Sequence, residues 1–129
     1  DMLPFTRQIQ IACDAAKNGI ARIGGIEAPK FDDTETTLAE LKARIGKTLD
    51  FLKTVPASAL DGTETKDITF PVGKDATRTM QSEAYLKHWM LPNLFFHVTM
   101  AYAILRHNGV PLGKQDYVGL ESFTDTSKW

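Results

Sequence analysis

Asn93 and His97 stand four residues apart in the stretch PNLFFHVTMAYAILRHNG. On a helix that spacing puts both side chains on one face, the geometry of paired helical ligands in zinc sites. Neutral imidazole is a common metal ligand, whereas asparagine is a weak donor where such sites want imidazole, thiolate or carboxylate. The other histidines do not complete a set. His88 lies nine residues before His97, about 180° around a continuous helix, and His107 also points away from it. His97 is therefore either a ligand or catalytic group, or a core histidine satisfied by one hydrogen bond, and the second reading carries more weight.

Tyr85, Trp89, Phe95, Phe96 and Tyr102 form an aromatic band on the same region. Core packing explains most of such a band. The functional alternative is a pocket for a small organic ligand, lined by Tyr85, Trp89, Phe96 and Tyr102, with His97 among its polar groups. No Ser-His-Asp pattern, carboxylate pair or activated cysteine stands nearby. Cys13 falls on an apolar helix stripe, where an inert buried thiol is expected. The Gly-Lys of LGKQD lacks the first glycine and the strand of a phosphate loop. No nucleophile emerges, catalytic residues stay unassigned, and whether the chain is an enzyme is open.

Three helical segments must position these residues. From Pro4 to Ile23, Phe5, Ile9, Ala12, Cys13, Ala16, Ile20 and Ile23 recur three and four apart, an apolar stripe with Gly24-Gly25 as its stop. Asp14 falls roughly opposite Phe5 and reads as solvated, whereas Gln8 flanks the stripe and could point inward. Leu38, Leu41, Ile45, Leu49 and Leu52 mark a second helix. Thr37 and Glu40 fit a capping box there, with Asp33 or Thr34 as alternative caps. Gly46 inside it marks either a close helix crossing or a tolerated glycine.

Residues 66–80 alternate apolar and polar positions around a turn near Gly73-Lys74-Asp75, the pattern of a β-hairpin insertion. A lone hairpin is marginal in water, so this one should lie against the helices, with Pro71 confining its strand to an edge. The last helical region runs from Ser82 to Asn108, kinked or divided at Pro92. Asn108 or Gly109 takes the left-handed position at its end, and Pro111 forbids continuation. Its apolar residues cover most of the circumference, as in the central helix of a bundle. Beyond it the chain reads as an extended C-terminal tail, in which Phe123 and Trp129 are candidates to dock.

With 129 residues, 43% of them hydrophobic and 24% charged, one core is affordable and two are not, so 1–129 reads as a single all-α domain, with 120–129 as its tail. A net charge of −1 disfavours nucleic acid and anionic membranes as partners. The single cysteine suits a reducing compartment, and neither a membrane span nor a secretory signal is visible, so the expected location is cytoplasmic.

DMLPFTRQIQIACDAAK, FDDTETTLAELKARIGKTLDFL, ITFPVG and above all LPNLFFHVTMAYAILRHNGVPLGKQDY resemble the bacterial domain-of-unknown-function family 1993, grouped with the DinB/YfiT-like proposed metalloenzymes. The resemblance covers Asp1 to about Gly119. It implies a four-helix bundle with one long connection, and a divalent zinc or nickel ion held by three histidines, one from an early helix and two from a last-helix HxxxH. It also implies, for some members, thiol-dependent transferase or isomerase activity. Carried over, His97 matches the second histidine of the pair and Asn93 stands in the place of the first. The early ligand falls near Gln8 or Gln10. The implied metal set, Gln8, Asn93 and His97, is degenerate, because two amides replace two imidazoles.

The expected cofactor is therefore none, with a divalent ion as the alternative. The three residues are expected to form a buried hydrogen-bond network instead. Family members usually carry another helix before the segment that starts here, so three main helices should leave an apolar groove open, filled by an absent N-terminal piece or by a second copy. The functional expectation is a DinB-like bundle that binds a small ligand or a second copy as a homodimer. A metal-dependent enzyme and a purely structural interaction protein are the alternatives.

Overall fold

The computed structural model describes residues 2–119. Helix α1 spans Phe5–Gly24, entered through extended Pro4 and closed by Gly25, whose left-handed φ of 64° lets its N–H reach back to the Ala21 and Arg22 carbonyls. Helix α2 spans Leu38–Thr54 and starts with the full capping box: Thr37 accepts from the Glu40 N–H while the Glu40 carboxylate accepts from the Thr37 N–H. Strands β1 (Asp67–Val72) and β2 (Ala76–Gln81) pair antiparallel, with Asp67 opposite Gln81 and Val72 opposite Ala76.

The last helical region is continuous. Helix α3 (Ser82–Tyr85) runs through a π-helical turn (Leu86–Met90) into α4 (Leu91–His107), with helical backbone angles at each junction. The wide turn precedes Pro92, which has no N–H to give and whose ring would crowd the carbonyl one turn back; the Leu91 N–H reaches Leu86 instead. Pro92 thus does not break the chain into two helices. Gly109, at φ 87°, takes the left-handed position, and Asn108 caps with its own amide on the Ile104 carbonyl.

The reading of everything after Leu112 as extended tail is corrected at residues 114–118. Lys114–Val118 forms a short helix α5, capped by the Asp116 carboxylate on the Gly113 N–H and docked where the Thr99 hydroxyl donates to the Tyr117 oxygen at 3.2 Å. Five residues are too few to show a helical period. Phe123 and Trp129 lie outside the described residues.

Helix α1 packs against α4 on one side and α2 on the other, while α2 and α4 meet only marginally. The hairpin covers one end: Phe70 lies 4.8 Å from the Tyr85 ring and 5.0 Å from Trp89, in a core with Ile23, Ile68 and Met90. Among the described residues no helix is long and apolar enough to cross a membrane.

Gly46 is not at a crossing, since nothing approaches within 4 Å of the place a Cβ would take. The close approach is at Gly19, where a Cβ would overlap the Sδ and Cγ of buried Met90. Gly19→Ala is expected to lose about 1–2 kcal/mol, because overpacking outweighs the ~1 kcal/mol gain in helix propensity. Urea unfolding with an unchanged m-value checks this.

Candidate functional site

Gln8 and His97 meet at the seam between α1 and α4, both buried, with His97 Nδ1 2.7 Å from Gln8 Oε1. The Gln8 amide is oriented by its other end, where Nε2 donates to the Leu3 carbonyl at 3.0 Å. Oε1 is thus the atom facing the ring, so Nδ1 must donate the proton. Burial pushes the His97 pKa below its ordinary value and holds the ring neutral, leaving Nε2 with its lone pair.

Asn93 does not join this pair. Its Nδ2 turns back to the Trp89 carbonyl at 2.7 Å, as a half-buried residue satisfying its own helix. The expected three-member network is therefore a two-member one. A divalent ion fits these residues poorly: Gln8 is engaged by His97, and amides offer little charge or softness to a transition metal. Among the described residues no three His, Cys, Asp or Glu side chains group to hold an ion.

The four aromatic residues assigned to one pocket also separate. Tyr85 and Trp89 line a hollow between α1 and α4, Tyr102 lines a different one with Thr99, Lys114 and Tyr117, and Phe96 stands exposed against the edge of His97. Helix α4 buries only His97 and Ala101 fully, so the central-helix reading is corrected: Phe95, Phe96 and Val98 are exposed. Cys13 is buried as expected, and burial raises its thiol pKa.

On the other side of the seam opens an almost wholly apolar trough of roughly 390 Å³. Ile9, Ala12, Cys13 and Ala16 of α1 form its floor, with Ile45, Leu49 and Leu52 of α2 and Leu94, Val98 and Ala101 of α4 as walls. The helical stripe of α2 is the reason: Leu41 is buried, yet Leu38, Ile45 and Leu49 on the same helix are exposed.

A charged cluster fixes the connection between α1 and α2. Arg44, with 1% of its side chain exposed, donates to Asp14 Oδ1 at 3.1 Å, Glu35 Oε1 at 3.1 Å and the Asp32 carbonyl at 3.1 Å, and pairs with Asp33 at 3.0 Å. Lys17 is buried too, donating to the Pro29 carbonyl at 2.7 Å with Phe31 under its ammonium. Gln10 bridges Arg7 and Glu35. Asp14, expected to be solvated, keeps 35% of its side chain exposed and is also an ion-pair partner of Arg44 and Lys17. Periodicity missed this cluster; the acidic run Asp32-Asp33-Glu35 facing a lone mid-helix Arg44 is the signal that could have found it.

Glu35 loses some affinity for its charged form through burial, but hydrogen bonds from Gln10, its own backbone and Arg44 outweigh this and lower its pKa. Both Glu35 and His97 therefore bind protons more readily unfolded than folded. The His97 contribution is full above its ordinary value of about 6.5, and is lost as pH falls through that value toward the lower folded one. The Glu35 contribution follows below about 4.3. Urea midpoints measured from pH 8 to 3 should fall in two stages, with the upper stage missing in His97→Gln.

The fold defines a DinB-like helical protein. It is similar to a DinB family member protein from Shewanella denitrificans, with a TM-score of 0.83 and 44% identity over 91% of this chain; the chain spans 66% of that protein's length. No curated protein matches. The chain belongs to the family described as Domain of unknown function (DUF1993), which it matches over residues 1–118.

Proposed function

We propose that this protein works as a binding bundle, and that the trough between α1, α2 and α4 receives a second copy of the chain. The apolar trough carries this reading. Leu49 and Val98 in its walls are exposed, and Leu38 and Phe95 on the same two helices are exposed apolar side chains too, the kind of surface that marks an interaction site. A net charge of −1 gives two copies little mutual repulsion. The partner's helix would take the fourth position of the bundle that the three long helices leave open. In this reading Gln8–His97 is a structural hydrogen bond.

Sedimentation over a concentration series tests it. The expected result is a dimer for the wild type and a monomer that binds the dye ANS for Leu49→Glu, a change at a half-exposed position that the single chain tolerates. A wild-type monomer would overturn the reading, whether it binds ANS, which would point to a small apolar ligand, or leaves the dye unbound. The metal-dependent alternative rests on the free lone pair at His97 Nε2. Metal content of chelator-free protein decides it: near-equimolar zinc or nickel that disappears in His97→Ala would replace the structural reading of the pair.

A further inference from the structure

The side of the α1–α4 seam facing away from the trough holds a hollow of roughly 210 Å³ that, unlike the trough, has charged and hydrogen-bonding groups in its lining. Ile11, Ala15 and Met90 form its apolar floor, and Arg22, Asn18, Trp89, Tyr85 and Asn93 bring polar groups to its wall. Arg22 is held in place: its Nη1 donates to the Tyr85 hydroxyl at 3.0 Å, and the Tyr85 ring is buried against Phe70. That leaves Nε and Nη2, an edge suited to bidentate carboxylate recognition, with no partner among the described residues. The Tyr85 hydroxyl, having accepted from Arg22, keeps its own hydrogen to donate. Neither the Trp89 indole N–H nor the Asn18 amide has a hydrogen-bond partner among the described residues.

Among the described residues the one acid lining the hollow is Asp14, which pairs with Lys17 at 3.3 Å and with Arg44 at 3.1 Å, the latter shared with Asp33 and Glu35. A further cation, Arg78, lies 5.8 Å from the Trp89 ring on the hairpin side. The hollow thus offers the Arg22 fork, the Trp89 indole N–H and the Asn18 amide as unpartnered donors around an apolar floor, while its one acid is engaged by cations outside it. We infer that the hollow binds a small carboxylate with a short apolar body, its carboxylate on the Nε–Nη2 fork of Arg22 that Tyr85 holds in place, its body between Trp89 and Met90. The volume is that of about seven waters, below the range of drug-sized ligands, which limits the ligand to a small metabolite. This inference is independent of the trough and of the oligomeric state.

Benzoate is the probe, titrated into ¹⁵N-labelled Trp129→Phe protein while the indole N–H signal of Trp89 is followed. A saturable shift is expected with benzoate. Uncharged benzamide should bind at least tenfold more weakly, as should benzoate to Arg22→Gln, while Arg22→Lys, which keeps charge without the fork, falls between. Should Arg22→Gln fail to fold, Asn18→Phe places a ring in the hollow from a half-exposed helix position and is expected to abolish the shift. A linear, non-saturating shift, equal response to benzamide, or binding unchanged in Arg22→Gln or Asn18→Phe would overturn the assignment.

Discussion

Arg44→Met is expected to unfold about 3 kcal/mol more readily than the wild type, a fall of roughly 10–15 °C in Tm for a domain of this size. The methionine fills most of the volume, so the loss is electrostatic. Asp14, Asp33 and Glu35 lose a shared guanidinium, and the Asp32 carbonyl loses its donor. The figure sits at the low end for a broken buried pair, because Asp14 and Asp33 keep 35% and 41% of their side chains in water and can be resolvated. Arg44→Lys should recover little, since one ammonium cannot reach the acceptors on both edges of the cluster. Lys53→Met, which breaks the fully solvated Lys53–Asp50 pair, should change nothing measurable. Thermal unfolding of the three variants side by side checks the ordering.

The second large effect concerns the seam. His97→Ala should cost about 2–4 kcal/mol, from the cavity left by the ring and from Gln8 Oε1, which is stranded in a site only 2% exposed. Replacing both partners with apolar groups removes the stranded atom, so Gln8→Leu/His97→Leu should lose clearly less than the sum of its single variants. Urea unfolding of the four proteins closes the cycle. Strict additivity would mean that the two side chains do not act as a pair. Gly19→Ala and the two-stage pH dependence probe the same seam and the neighbouring charge cluster at smaller amplitude.

Much of this was legible in the chain. The spacing of Ile9, Ala12 and Ile23, the Thr37/Glu40 box, and the alternation around Gly73-Lys74-Asp75 fix α1, α2 and the hairpin, because local periodicity and capping act within a few residues. The inward turn of Gln8 and the prospect of an open apolar groove were legible for the same reason: a stripe on each helix says which face seeks cover. What no stripe states is which partner arrives. Asn93 and His97 share a helical face, yet Gln8, 89 residues away from His97, takes the imidazole while Asn93 turns to its own backbone. Tyr85 and Tyr102 belong to one aromatic band in sequence and to different hollows in space. Arg44, Lys17 and Asp14 look like solvated charges one at a time and become an ion-pair cluster only when the connection folds over them. The sequence by itself determined the helices, their caps and their apolar faces. The tertiary structure alone decided that α1 lies between α2 and α4, so that one side of its seam became an apolar trough and the other a hollow with Arg22, Tyr85 and Trp89 in its wall, since those distances depend on helix packing rather than on helix period.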